Sequence, residues 1–224
     1  MSPIGPQMEK FSEKPMFPGI QMSLLDVPDP PRYWFATEAG SQLIQVQQDR
    51  FVHNWRKTTD AEPYPRYESI RKPFAENLEV FCGFLSENRI GDFVPNQVEL
   101  TYVNIIPSGE GWERFCEIEK VVTVSRLEYS DNFLSEPENI NYYERHLIHD
   151  EGQPIGRLHI NIKPTIRISD NKQMLEMNLV ARGIPIGSDI EGVLKFLDLG
   201  REWIVRGFAS ITRPEMHKQW GRTK

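Results

Sequence analysis

Two long stretches of the chain carry apolar residues at the spacing of an amphipathic helix. The first covers about residues 68–86, and its stripe predicts a helix with one buried face. Pro73 falls early in this stretch, where the loss of one backbone N–H costs least. The stripe consists of Ile70, Phe74, Leu78, Phe81 and Leu85.

The second stretch begins at Ser188 and continues to about Thr212. Ser188 and Glu191 have the Ser-x-x-Glu spacing of a capping box, which predicts that a helix begins there. Pro214 is expected to end it, because proline cannot continue a helical hydrogen-bond ladder. The stripe contains two glycines that would allow close packing on a sheet, and it comprises Val193, Leu197, Gly200, Ile204, Gly207 and Phe208.

Residues 155–163 alternate strictly between apolar and polar. This alternation predicts a strand with one apolar and one polar face. Turns at 150–152 and 169–171 join it to residues 141–149 and 173–180, which predicts an antiparallel meander with one solvated face. The apolar face carries Leu158, Ile160 and Ile162, and the polar face carries Arg157, His159, Asn161 and Lys163.

The first half of the chain is predicted to hold a β-hairpin over residues 32–56. Residues 38–41 supply its turn, where Gly40 can adopt positive φ. Polar residues interrupt the returning strand, and a bulge near Gln48 would keep the apolar side chains on one face. Residues 98–106 are typical of a further strand, and residues 111–122 are expected to contain a short helix.

The N-terminal 31 residues hold seven of the 17 prolines. Because proline lacks an N–H and fixes φ, residues 1–18 are predicted to be a disordered or extended tail. Residues 19–27 are expected to add an edge strand before a stiff bend at 28–31. Residues 129–139 are acidic and are predicted to form a loop.

Together these elements predict an α+β fold. We expect two layers, with long amphipathic helices on one face of a curved, mainly antiparallel sheet and the other face free. Residues 19–224 would form a single domain. Its halves, 19–94 and 95–224, each pass through strands into a long helix, a pattern that suggests an internal duplication.

Composition narrows the class of protein. Aromatic residues make up 11 % of the 224, which excludes a disordered chain. No apolar run approaches the ~20 residues that cross a bilayer, and the N-terminus has no signal-peptide pattern. We therefore expect a cytoplasmic protein without membrane contact. The formal charge of −6 argues against general nucleic-acid binding, although it leaves room for a local basic patch.

Motifs of cofactor or metal chemistry do not occur in the sequence. There is no P-loop, GxGxxG, HExxH or GxSxG pattern. Cys82 and Cys116 form no Cys-x-x-Cys pair and are expected to be buried free thiols. His146 and His149 would point to opposite faces of one strand. We therefore expect no cofactor and no bound metal.

Two clusters of polar and aromatic residues are candidate binding surfaces, since arginine and aromatic rings favour interfaces. The first cluster lies around residues 50–67. The second is the polar row on the open face of the sheet, which Arg167 continues. The competing hypothesis is structural: Phe51, Trp55 and Tyr67 would be core, Arg50 and Arg56 would make salt bridges, and Glu144 and Glu176 would offset the basic row. The candidate residues are Arg50, His53, Asn54, Trp55, Arg56, Arg66 and Tyr67 in the first cluster, and Arg157, His159 and Lys163 in the second.

Several short runs spread over about residues 28–221 form a joint pattern. They are Arg32-Tyr33-Trp34-Phe35, residues 43–51, Asn54-Trp55-Arg56, Tyr64-Pro65-Arg66-Tyr67, residues 97–104 and Trp220-Gly221. The pattern resembles a sporadically distributed family of uncharacterised bacterial proteins. Members usually begin with an apolar strand and a helix before the proline-rich bend, so the resemblance implies that this chain lacks that strand or has it truncated. It implies a bacterial origin and carries no mechanism.

Three hypotheses for function follow. The first is a non-enzymatic module that binds a protein partner through the open sheet face or the Asn54-Trp55-Arg56 region. A second copy of the chain would instead pair with the strand at residues 19–27. The second is a hydrolase or nuclease-like enzyme with a dispersed site that uses Asp49, Arg50 and His53. The third is nucleic-acid binding by the sheet face, which rests on analogy between folds.

Overall fold

A computed structural model describes residues 8–9, 31–59, 62–123 and 133–221. The predicted edge strand at 19–27 lies outside the described residues, and so does the predicted tail at 1–18 apart from residues 8–9. The chain divides into two compact units, Met1–Val94 and Pro95–Lys224.

The first unit contains a three-stranded antiparallel sheet followed by a long helix. The strands lie in the order β1-β2-β3. The elements are β1 (Tyr33–Ala36), β2 (Gln42–Gln47), β3 (Arg50–Trp55) and the helix α1 (Tyr67–Glu87).

The prediction of one hairpin with a bulge near Gln48 was wrong. Gln48 and Asp49 form a tight turn, and Gln47 pairs directly with Arg50. Since the chain reverses at this turn, the apolar side chains stay on their face without a bulge. The other turn is as expected, and Gly40 has a φ of 66°.

Helix α1 packs its apolar stripe against β3. Leu78 is buried, and the ring of Phe51 stacks on Phe81 with centroids 5.4 Å apart. Phe51 also meets Phe74 edge-on at 6.0 Å. The hydrophobic periodicity therefore predicted both the length and the packing face of this helix.

The second unit contains a four-stranded antiparallel sheet in the order β4-β7-β6-β5. A short 3₁₀ helix, Phe115–Lys120, follows the first strand. The other elements are β4 (Val98–Pro107), β5 (Tyr142–Asp150), β6 (Gln153–Arg167), β7 (Lys172–Gly183), α2 (Ile190–Ile211) and α3 (Pro214–Gln219).

Helix α2 covers one face of this sheet through small residues. Gly156 and Gly183 are directly paired, and a Cβ on Gly183 would lie 2.6 Å from Cε2 of Phe196, so the two glycines leave room for this buried ring. Further along the helix, Gly200 approaches Ala181, as the stripe predicted. The core beneath the helix consists of Leu158, Ile160, Ile162, Leu175, Met177, Leu179 and Ala181.

The ends of α2 differ from the predictions by one or two residues. Asp189, rather than Ser188, caps the helix, and its carboxylate accepts a hydrogen bond from Gly192 N at 2.8 Å. The Ser-x-x-Glu spacing favours Ser188 as the N-cap, one residue before the actual cap, because serine and aspartate are both good N-cap residues. Pro214 does not end α2, which stops at Ile211. It begins α3, where a missing N–H costs nothing.

The α+β class is confirmed, with the strands of the described ranges divided between two antiparallel sheets. The internal duplication remains a prediction. Cys82 and Cys116 are half-buried rather than buried. At Cys116 the reason is its place beside an exposed carboxylate, since Sγ lies 3.9 Å from Oε2 of Glu136.

Candidate functional site

The first predicted cluster is divided between the two faces of the three-stranded sheet. His53 and Trp55 share the face of Phe51, which packs on α1, and Asn54 points the other way because side chains alternate along β3. His53 stacks on Phe74 at 6.5 Å, and its Nε2 lies 3.3 Å from Oε1 of Gln42. Burial lowers the pKa of the His53 imidazole. His53 is therefore placed as a neutral packing residue.

The arginines of this cluster are engaged locally. Arg50 pairs with the neighbouring Asp49 at 3.3 Å, and Arg56 Nε donates to the carbonyl of Gly40 at 3.0 Å. Arg50 makes the salt bridge that the structural hypothesis expected, whereas the described contact of Arg56 is with a backbone carbonyl.

The aromatic residues and the start of the helix complete this region. Trp55 packs edge-on against Tyr64, with centroids 5.2 Å apart. Arg66 is the N-cap residue of α1 and Tyr67 is its first residue. The structure thus spreads this cluster over β3, a loop and a helix start rather than gathering it around one point.

The second predicted cluster lies on the face of the four-stranded sheet opposite α2, which we call the open face. Side chains of Arg157, His159, Asn161 and Lys163 alternate with buried residues that contact the helix layer. The alternation therefore predicted this face correctly. Arg167 lies beyond it at the exposed end of β6, where Nε donates to Oδ1 of Asp170 at 2.9 Å.

Strand pairing brings two further arginines to the open face. Arg182 on β7 lies directly opposite Arg157, and Arg145 on β5 lies directly opposite His159. We call these four residues the basic patch. The sequence pattern did not indicate Arg145 and Arg182. Alternation shows which face a residue takes within its own strand, and not which residue of the next strand lies beside it.

Carboxylates accompany part of this face. Oε1 of Glu176 lies 3.1 Å from Nζ of Lys163, as expected. Glu99 Oε2 accepts from Nε of Arg182 at 2.7 Å. The basic patch itself therefore contains two cationic groups side by side, Arg157 and Arg182, of which the second is held in place by a carboxylate.

Glu144 does not offset the basic row, contrary to expectation. It pairs with Ile160 and so lies on the α2 side of the sheet. There it accepts a hydrogen bond from the Tyr142 hydroxyl, and Nε2 of His146 lies 3.1 Å from its other oxygen. Burial and the Glu144 carboxylate raise the pKa of Tyr142 to about 12, so this phenol is a hydrogen-bond donor at neutral pH.

Apolar side chains border the basic patch on both edge strands. Tyr143 and Leu147 on β5 and Val103 and Ile105 on β4 are exposed. The Tyr143 hydroxyl lies 2.9 Å from Nδ1 of His159. The open face thus combines arginine, tyrosine and aliphatic side chains, a composition typical of protein interfaces.

No family model, curated protein or solved structure matches the chain. Over the described ranges, no group of three or more His, Cys, Asp or Glu side chains could hold a metal ion. No helix in those same ranges is long and apolar enough to span a membrane.

Proposed function

We propose that this chain is a non-enzymatic protein-interaction module that binds an acidic, partly apolar surface of a partner protein on its open face. The observation that carries the proposal is the direct cross-strand pairing of Arg157 with Arg182, extended by Arg145 opposite His159. The proposal includes a bacterial origin, which the family resemblance implies, and a cytoplasmic setting, which the sequence predicts.

Arg157 and Arg182 place two like charges side by side on the sheet. Directly opposed like charges destabilise a sheet. A partner carboxylate placed beside Arg157 and Arg182 would gain charge-assisted hydrogen bonds, since a guanidinium binds carboxylates through two parallel hydrogen bonds. Because Glu99 already orients Arg182, less side-chain freedom is lost when a partner binds.

The surroundings of the patch favour a protein over a nucleic acid. Tyr143, Leu147 and Val103 offer apolar contact area around the arginines. Glu99 and Glu176 on the same face would repel a continuous run of phosphates, and the chain carries a net charge of −6. A partner with a few carboxylates and apolar side chains fits both features.

The alternative of a dispersed hydrolytic site gains no support from the first unit. Asp49 lies in a turn and pairs with Arg50, and the imidazole of His53 stacks on Phe74 at the helix-covered face. These groups do not point toward one substrate position, which general acid–base chemistry requires.

The test compares two charge reversals on opposite faces of the second unit. Arg145→Glu changes the exposed edge of the basic patch. Arg206→Glu is the matched control, because Arg206 is exposed on α2 and pairs only locally with Glu202 at 2.6 Å. Each variant and the wild type are used to capture partners from a lysate of the source organism at low and high salt, followed by native mass spectrometry.

We expect a stoichiometric protein partner with the wild type and with Arg206→Glu, and about tenfold less with Arg145→Glu, since one lost charge pair in an interface costs on the order of 1.4 kcal/mol. Equal capture by all three proteins contradicts the proposal. A passenger that absorbs at 260 nm and is lost with Arg145→Glu would favour nucleic-acid binding instead.

A further inference from the structure

Strand β1 presents three consecutive aromatic side chains to solvent. Tyr33, Trp34 and Phe35 are 59 %, 63 % and 60 % exposed. We call them the aromatic edge. β1 pairs with β2 on one side, and within the described residues no strand pairs with its other side.

The aromatic edge is apolar on both faces of the sheet. Tyr33 and Phe35 pair with Val46 and Ile44, which share the face of Phe51 and its helix contact, and Trp34 points to the opposite face. α1 packs mainly on β3, and each of these rings is about 60 % exposed, so most of its surface is open to solvent.

The backbone of β1 offers hydrogen-bonding groups at fixed positions that no other described segment uses. Thr37 N donates to Gln42 O at 3.1 Å. Thr37 and Gln42 are therefore a hydrogen-bonded pair of the antiparallel ladder between β1 and β2. Because such pairs alternate, Tyr33 and Phe35 also bond to β2, and the N–H and C=O groups of Trp34 and Ala36 point away from it. A second extended chain can therefore bond at these two residues.

Edge strands of monomeric proteins are usually protected by charges or proline. β1 contains neither in its four residues, Tyr33–Ala36. The exposed aromatic rings and the free backbone groups thus lie along the same line, which is the arrangement used for β-augmentation.

The contact area decides between two occupants of this edge. An aromatic side chain offers about 200 Å², so three that are about 60 % exposed present roughly 360 Å² per chain. A stable interface between two copies needs about 800 Å² on each partner. The edge is therefore too small for a stable dimer by itself, whereas a short extended peptide is held mainly by backbone hydrogen bonds.

We propose that β1 binds an extended segment of a partner protein by β-augmentation. The segment has apolar side chains at alternate positions, which contact Tyr33 and Phe35 on one face of the sheet and Trp34 on the other. The exposed Arg32 immediately before β1 favours an acidic residue at the adjoining end of the segment. This surface lies in the first unit, whereas the open face belongs to the second.

The probe is selected from a displayed library of peptides of about ten residues with apolar residues at alternate positions. Binding of the selected peptide to the full chain is measured by fluorescence anisotropy. A second peptide of the same sequence, N-methylated at alternate backbone nitrogens, keeps the side chains and removes one row of donors. We expect the unmodified peptide to bind and the N-methylated one to show no binding.

Two variants separate the backbone contribution from that of the side chains. Ala36→Pro removes an outward-facing N–H at an edge position that tolerates proline, and Trp34→Ser removes an exposed ring. Each is expected to weaken binding by about tenfold or more. Phe84→Ser is the matched control, because Phe84 is an exposed aromatic residue of α1, and it should bind within about twofold of the wild type.

Amide hydrogen exchange on the free full chain identifies any other occupant of the edge. The amides of Trp34 and Ala36 should exchange rapidly without peptide and slowly with it. Protection that rises with protein concentration would mean that a second copy occupies the edge. Protection that is present at every concentration would mean that another part of the same chain does. Either kind of protection in the free chain would overturn the proposal. A library that yields no binder would also overturn it, and so would unchanged peptide binding by Ala36→Pro.

Discussion

The hydroxyl oxygen of Thr212 lies 2.6 Å from Nε2 of His217 and 2.6 Å from the carbonyl oxygen of Phe208. A hydroxyl has one proton, and the carbonyl can only accept it. The imidazole therefore donates through Nε2–H, and Thr212 serves both partners at once. This pair joins the C-terminal end of α2 to α3, and Thr212 is only 1 % exposed.

Replacing Thr212 with valine should destabilise the second unit. The variant keeps the shape of the side chain but leaves the half-buried Nε2–H of His217 without its Thr212 acceptor, which costs about 1–3 kcal/mol. The measurement is the free energy of unfolding in urea. Ser210→Ala is the matched control, because Ser210 Oγ also donates to a carbonyl four residues back, that of Arg206 at 2.9 Å, but is exposed. If Ser210→Ala lowered the free energy of unfolding by more than about 0.5 kcal/mol, the loss in Thr212→Val could not be attributed to the burial of its hydroxyl.

Two glycine-to-alanine substitutions should have effects of opposite sign. In Gly183→Ala the new Cβ would lie 2.6 Å from Cε2 of Phe196 and would also clash with the carbonyl oxygen of Ile155. Because backbone atoms cannot move aside as a flexible side chain can, we expect Gly183→Ala to lower the free energy of unfolding by about 3 kcal/mol. Gly83 lies in α1 with no atom within 4 Å of its added Cβ, and Gly83→Ala should gain about 0.5–1 kcal/mol. Thermal unfolding measures both, and a Gly183→Ala variant as stable as the wild type would refute the packing described for Phe196.

The N-terminus of α2 allows a direct comparison of two adjacent cap candidates. Asp189→Ala removes the acceptor for Gly192 N and should cost about 0.5–2 kcal/mol. Ser188→Ala removes the residue that the sequence pattern favoured and should change stability by less than about 0.5 kcal/mol. If Ser188→Ala is the more damaging variant in urea unfolding, the helix begins one residue earlier than described.

The stability of the second unit should decrease in acid through Glu117. Hydrogen bonds from Glu113 N at 2.8 Å and a salt bridge to Lys120 at 3.0 Å lower the pKa of this carboxyl from 4.5 to about 2. Because the pKa is lower in the folded state, the stabilising contribution is complete above pH 4.5 and is lost as the pH falls toward 2. Glu117→Gln should therefore flatten the dependence of the unfolding midpoint on pH in this window. Glu119→Gln, an exposed carboxylate of the same 3₁₀ helix, is the control, and an equal flattening there would contradict the assignment to Glu117.

The local pattern of apolar residues determined the elements of this fold. The stripe from Ile70 to Leu85 predicted α1 to within a residue of its ends. The alternation over residues 155–163 predicted which side chains of β6 are buried. Both are properties of a single segment, because helical and strand periodicities place side chains on a face without reference to the rest of the chain.

The composition of the candidate site was decided by tertiary structure. Arg157 and His159 were visible as polar positions on one strand, but Arg182 and Arg145 stand beside them only because β7 and β5 flank β6 in a particular register. The same register places Glu144 on the opposite face. Strand order and register are set by hydrogen bonds between distant segments and by packing under α2, which a local pattern does not encode. The sequence by itself therefore determined which faces would be polar, and only the folded sheet decided which charges meet there.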